Sequence, residues 1–179
     1  MTMKSNNDEF KLNEVRVRLV PGIPLTSQTS MSTPEAAVEV IGNFLSDMDR
    51  EVFLVVNVDA KLRPINFNIV SIGAIEQTIV SPREVLKSGI LSNACGIMVF
   101  HNHPSSELLP SKEDTIMTDR LSRVCNDIGI RFVDHIIVGP NKGEYFSFAS
   151  KRILPVIKDD YARDYHELSL KVAEKGRTR

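Results

Sequence analysis

Tryptophan is absent from the 179 residues, and aromatic side chains make up only 6% of them. Little material is therefore available for the stacking platforms that single-stranded nucleic acids use. Cysteine is also scarce. Cys95 and Cys125 are the only two, which excludes a disulfide framework, and neither lies in a Cys-x-x-Cys pair of the metal-binding kind. Both stand in apolar contexts, so each is expected as a reduced, packed thiol. Net charge is −1, so no global basic field advertises nucleic acid. No apolar run approaches the ~20 residues of a membrane span, and the N-terminus lacks a signal-peptide core. A cytoplasmic protein is the expectation, with no membrane partner.

What is present fits one soluble α/β domain. Hydrophobic residues are 42% and charged residues 25%, ordinary values for a globular chain with a real core. The charge is uneven. Residues 1–49 hold four Lys/Arg against seven Asp/Glu, while 151–179 hold eight against five. That leaves the first segment at −3 and the last at +3, so an anionic partner would find the tail first.

The stretch Val99-Phe100-His101-Asn102-His103-Pro104 organises the rest. An apolar run from Gly96 leads into two histidines spaced i, i+2. In an extended segment that spacing puts both imidazoles on one face, within reach of one cation. Pro104 has no N–H for a ladder and stops the strand. Seven residues further on, Ser111 and Asp114 open a helix, which returns a carboxylate toward the imidazoles. Two histidines and an aspartate suit Zn²⁺ with a fourth position left open. The competing reading of Ser111 and Asp114 is a capping box, and the two readings are compatible.

His-x-His-Pro, six residues, then Ser-x-x-Asp is also the JAMM motif of the JAB/MPN+ metalloprotease family, matched here by His101, His103, Ser111 and Asp114. The match resembles the RadC-like branch in particular. Ser81-Pro82-Arg83-Glu84, Asp134-His135-Ile136-Ile137-Val138-Gly139 and Glu144-Tyr145-Phe146-Ser147-Phe148 carry the rest of it. One departure is visible, Ser106 where the branch usually has Gly. The resemblance spans about residues 33–150. It implies a JAB/MPN (cytidine-deaminase-like) three-layer domain, with a curved mixed sheet flanked by helices. Residues 1–32 are then an N-terminal extension and linker, and 151–179 a C-terminal helical tail. The helix-hairpin-helix that longer RadC-like proteins carry upstream has no counterpart in residues 1–32.

In chain order, Val15, Val17 and Leu19 alternate as a possible edge strand, and Thr26 to Thr33 reads as a linker. Thr33-Pro34-Glu35 starts a helix whose Ala37, Ile41, Phe44 and Met48 form an apolar stripe. Val52 to Val58 is a nearly continuous apolar strand, turning at Lys61–Arg63 into a half-exposed partner with Ile65, Phe67 and Ile69. Ser81 opens a second helix. The Ser111 helix shows Met117, Leu121, Val124 and Ile128 at helical spacing, with Gly129 just past its end. Ile130–Val138 and Tyr145–Phe148 close the domain around an Asn141–Gly143 turn. Tyr161, Tyr165, Leu168 and Val172 share one face of a helical tail, expected to pack on its own domain, with a partner or self-association surface as the alternative.

A zinc hydrolase needs a base for the attacking water. In the resembled family it is a glutamate heading the strand beside the histidines. Glu51, directly before the apolar strand, matches that position. Glu84 is the alternative, but it stands three residues after Ser81, where a capping box accounts for it. Ser111 would steady the oxyanion. His135 is expected as a hydrogen-bonded histidine supporting the sheet, with a role behind the ligands left open. Together these point to a zinc-dependent hydrolase of a peptide or isopeptide bond, with a peptide or ubiquitin-like substrate. The alternatives are a protein associated with DNA repair, or a metal-binding interaction module without catalysis.

With net charge −1, duplex DNA should be bound weakly and released steeply as salt rises. Fluorescence anisotropy checks this. Tight binding at physiological salt would bring the DNA-repair alternative forward.

Overall fold

Val52–Val58 forms strand β1 and Gly96–Asn102 forms β3, and all seven residues of each are buried. Such runs demand cover on both faces of a sheet, and the order of elements supplies it. The computed structural model describes residues 14, 16–27, 29–73, 80–104 and 107–158. Helix α1 (Pro34–Ser46) precedes β1, strand β2 (Pro64–Ile72) follows it, and helix α2 (Pro82–Leu91) leads to β3. Helix α3 (Lys112–Asp127) then crosses over to β4 (Arg131–Val138) and β5 (Tyr145–Ser147).

The five strands make one open mixed sheet in the order β2-β1-β3-β4-β5. Only β3 and β4 run parallel, and a parallel pair needs a long crossover, which α3 provides. Side chains alternate across this sheet into two cores. Val52, Leu54, Val56, Val58, Met98, Phe100 and Ile136 face α1, which contributes Ala37, Val38, Ile41 and Leu45. Phe53, Val55, Ile97 and Val99 face the other way, against Val85 and Leu86 of α2 and Leu121 and Cys125 of α3. The result is the three-layer α/β arrangement expected from the sequence.

Helix boundaries follow local chemistry. Thr33 caps α1, its hydroxyl accepting the Ala36 N–H at 3.3 Å, with Pro34 at the first helical position. Gly129 ends α3 at φ +72°, a conformation that would strain a side chain. Asp59 organises the β1–β2 turn, accepting the Lys61 and Arg63 N–H groups at 2.8 and 2.9 Å.

Several expectations are corrected. On α1 the core face is wider than the expected stripe: Val38 and Leu45 are buried beside Ala37 and Ile41, with Phe44 and Met48 half-buried against the same core. On α3 the inward face is Asp114, Thr118, Leu121, Ser122 and Cys125. Of the expected stripe, Leu121 is buried and Met117 and Val124 pack half-buried against the core, while Ile128 is 43% exposed; the inward face joins that stripe to the polar Asp114, Thr118 and Ser122. Val17 and Leu19 are exposed and irregular rather than an edge strand, and Val15 lies outside the described residues. The β2 alternation slips at an irregularity between Asn57 and Val58, leaving Ile65 exposed. Met31, within the Thr26–Thr33 stretch, is buried in the α1-side core, and its N–H donates to Leu62 at 2.8 Å. Cys125 is buried, which pushes its thiol up to about 12, but Cys95 faces solvent rather than packing. The proposed tail helix falls outside the described residues.

Phe100 is fully buried at the centre of the sheet. Phe100→Ala should cost about 3–5 kcal/mol in urea unfolding, whereas Val17→Ala on the exposed segment should change stability by less than about 0.5 kcal/mol. Equal effects would contradict this placement of the core.

Candidate metal centre

β3 delivers His101 as its next-to-last residue, fully buried, and its end at Asn102 leaves His103 just outside the ladder. The two Nε2 atoms approach to 2.8 Å. The expected convergence of an i, i+2 pair is therefore realised at the strand terminus. His103 is held by the peptide that follows it: its Nδ1–H donates to the Glu107 carbonyl at 2.5 Å, and its own N–H donates to Val138 at 2.9 Å.

Asp114 arrives from α3. Ser111 is the N-cap of that helix, and the capping box is complete. The Ser111 hydroxyl accepts Asp114 N–H at 3.0 Å and donates to Asp114 Oδ2 at 2.7 Å, and Ser111 N–H donates to the same oxygen at 2.7 Å. Oδ2 is occupied by the cap, leaving Oδ1 to face His101 Nε2 at 3.2 Å. His103 Nε2 lies 3.7 Å from Oδ2. Asp114 thus completes the cap and still turns one oxygen toward His101.

The donor atoms of His101, His103 and Asp114 all lie within 4.8 Å of one another. A tetrahedral zinc with bonds of ~2.0–2.1 Å spaces its ligands ~3.3 Å apart. The separations of His101 Nε2 from His103 Nε2 and from Asp114 Oδ1, 2.8 and 3.2 Å, lie close to that value. Two imidazoles, one carboxylate and no thiolate suit zinc with an open position, so the residues fit the ion.

Electrostatics agree with this. Burial drives His101 down to about 4, with His103 adding to the effect and Asp114 opposing it. Burial likewise pushes His135 well below its usual value. Both rings are neutral at pH 7, the form that ligates metals. Burial alone would raise Asp114, but the attraction of His101 and the Ser111 hydrogen bonds outweigh it and hold the carboxyl below its usual range.

Glu51 directly precedes β1 and is half-buried. Phe53 pairs with His101 across the β1–β3 ladder and its ring stacks on the imidazole at 6.0 Å. Continued by two residues, that antiparallel register brings Glu51 opposite His103 on the same face. Glu84 sits elsewhere, on the exposed surface of α2, bonded to Lys87 at 2.6 Å. The capping box expected for it does not form, since Ser81 makes no side-chain cap.

Sequence reasoning missed Asn102. Its side chain alternates away from the histidines and is buried, accepting Val52 N–H at 2.7 Å and donating to the Arg50 carbonyl at 3.0 Å. Those two groups flank Glu51, so Asn102 pins the backbone that carries it. A polar residue at the buried end of an apolar strand was the available signal. Thr118 was missed as well, although i+4 from Asp114 places it on the same helix face. His135, on β4, lies against His101 with ring centroids 4.9 Å apart, and Phe148 stacks on its other side at 5.0 Å. Ser106, the departure from the branch, lies outside the described residues.

Comparison with known proteins points one way. A family model described as RadC-like JAB domain matches residues 31–153. A UPF0758 protein of Actinobacillus pleuropneumoniae is 42% identical over 123 residues, covering 69% of this chain and 55% of the relative. One from Finegoldia magna is also 42% identical over 123 residues, covering 65% and 55%. A third, from Coprothermobacter proteolyticus, is 36% identical over 131 residues, covering 71% and 55%. The chain spans about half the length of these curated relatives. Among the described residues, no helix is long and apolar enough to cross a membrane.

The buried neutral histidines predict acid sensitivity in protein stripped of metal. His101 and His135 have folded values below the ordinary 6.5, so the unfolded chain binds more protons between about pH 6.5 and 4. Their stabilisation is complete above that window and lost as pH falls through it. Asp134, raised by burial, works in the opposite sense and trims the effect. Urea unfolding of chelator-treated protein should lose a few kcal/mol between about pH 7 and 4.5. A flat profile contradicts the buried neutral pair.

Proposed function

The chain belongs to the RadC-like JAB domain family, and from that premise and the geometry of the tripod we propose that it is a zinc-dependent hydrolase of peptide or isopeptide bonds. One observation carries the reading. His101 Nε2, His103 Nε2 and Asp114 converge on one point at the end of β3, with a second carboxylate, Glu51, heading the neighbouring strand. His101, His103 and Asp114 would hold zinc there, and the ion would supply Lewis acidity to polarise a carbonyl oxygen and to lower the pKa of a water toward ~7.

The chain's own residues account for the rest. Glu51 takes a proton from the attacking water and returns it to the leaving nitrogen as the C–O bond forms and the C–N bond breaks. Asn102 keeps Glu51 in register by fixing the peptides on both sides of it. Ser111, once its hydroxyl turns from Asp114 to the substrate, donates to the carbonyl oxygen as charge builds there, a contribution of about 3 kcal/mol for donors of this kind. Its N–H keeps Asp114 Oδ2 bonded during that turn. A peptide or a ubiquitin-like tail is the substrate class.

Purified protein should carry about one zinc per chain, and His101→Ala or His103→Ala should strip it. Stoichiometric zinc in the double variant would sink the site. Glu51→Gln should retain metal and thermal stability while hydrolysis falls on the order of 10²–10⁴-fold. Glu84→Gln, on the exposed surface of α2, should leave turnover unchanged. The reverse outcome would move the base to Glu84. Failure of the zinc-loaded wild type to cleave anything in a broad peptide and ubiquitin-fold panel would instead favour a metal-bound interaction module.

A further inference from the structure

His135 is fully buried in β4, and both of its ring nitrogens have partners. Nε2 lies 2.9 Å from His101 Nδ1, and Nδ1 lies 2.6 Å from Thr118 Oγ1. The Thr118 hydroxyl is in turn 2.7 Å from the Asp114 carbonyl. A closed chain of hydrogen bonds therefore leaves one tripod residue and re-enters at another without meeting solvent.

A neutral imidazole carries one N–H, and a hydroxyl has one proton, so the chain has only two polarities. In the first, His101 Nδ1–H donates to His135 Nε2. His135 Nδ1–H then donates to Thr118, and Thr118 donates to the Asp114 carbonyl. This leaves His101 Nε2 bare, aimed at the tripod. In the second, Thr118 donates to His135 Nδ1, and His135 Nε2–H donates to His101 Nδ1. That order protonates His101 Nε2, which then donates to His103 Nε2 at 2.8 Å and closes the site. Each polarity contains the same number of protons. His103 has no such choice, because the Glu107 carbonyl that receives its Nδ1–H only accepts.

We propose that His135 and Thr118 are positioning residues for the metal centre: in the cation-bound protein His135 accepts the His101 Nδ1 proton and Thr118 terminates the chain, so that His101 presents a bare Nε2. This rests on the metal-site reading above. The acceptor behind a ligating histidine sets its tautomer and raises its basicity, and losing such a partner typically costs 10–100-fold in metal affinity.

The test uses the full chain and zinc alone. In ¹⁵N-histidine spectra of zinc-loaded wild type, His101 and His135 should both carry their proton on Nδ1. In chelator competition, Thr118→Val should weaken zinc about 10-fold or more, and Thr118→Ser should stay within about threefold of wild type. A packing role for the Thr118 methyl group predicts the opposite ranking. His135→Phe, which keeps an aromatic ring between Phe53 and Phe148, should weaken zinc about 10–100-fold. Zinc on the tripod with His135 protonated at Nε2, or the reversed Thr118 ranking, overturns the relay and leaves the metal site standing. Absence of zinc from wild type overturns the site and the relay with it.

Discussion

The arrangement depends on one carboxylate divided between two tasks. Asp114 gives Oδ2 to the N-terminus of α3 and Oδ1 to His101. A buried carboxylate is costly unless its lone pairs are bonded, and the N-terminal turn of a helix is where backbone N–H groups and the macrodipole favour a negative charge. The cap therefore does more than start a helix. It keeps a buried carboxylate ionised inside the protein and anchors the first turn of α3 against the end of β3.

From that anchor the remaining polar residues follow by necessity. A pair of neutral imidazoles packed among Phe53, Phe148 and the aliphatic floor of the sheet must have every N–H accounted for. α3 answers by turning Asp114, Thr118 and Ser122 inward. Thr118 and Ser122 each return their hydroxyl proton to the carbonyl four residues earlier, at 2.7 and 2.8 Å. Asp134 does comparable work for β4, accepting from Ser147 at 2.5 Å and from the His135 and Ala149 N–H groups at 2.8 and 2.9 Å. It ties β4 to the turn after β5 and so seats Phe148 on His135.

The antiparallel β1–β3 ladder is the second fixed relation. It sets Phe53 opposite His101, and Asn102 extends the pairing past the ladder by bonding the peptides on either side of Glu51. The proposed base is therefore not on a loose loop. It stands at the head of a strand that is buried along its whole length, which is the rigidity a general base needs to hold its reach.

The sequence by itself determined the main elements and the residues of the candidate metal centre. Thr33-Pro34, the apolar runs of β1 and β3, Pro104 and Gly129 act through local backbone chemistry, and the i, i+2 histidines act through strand periodicity; none of these requires knowledge of a distant neighbour. The tertiary structure decided what depends on which faces meet. Glu84 and Glu51 both stand near an element start; the β1–β3 register, carried on by two residues, sets Glu51 opposite His103, whereas Glu84 is exposed on α2 and bonded to Lys87. Periodicity placed Met117, Leu121, Val124 and Ile128 on one stripe of α3, and the first three do pack on the core, but it gave no sign that Asp114, Thr118 and Ser122 share the inward face, where the buried imidazoles require hydrogen-bond partners that an apolar stripe lacks. Asn102, Thr118 and His135 belong to the same class: each acts through a contact with a residue on another element, and such contacts exist only once the chain has folded.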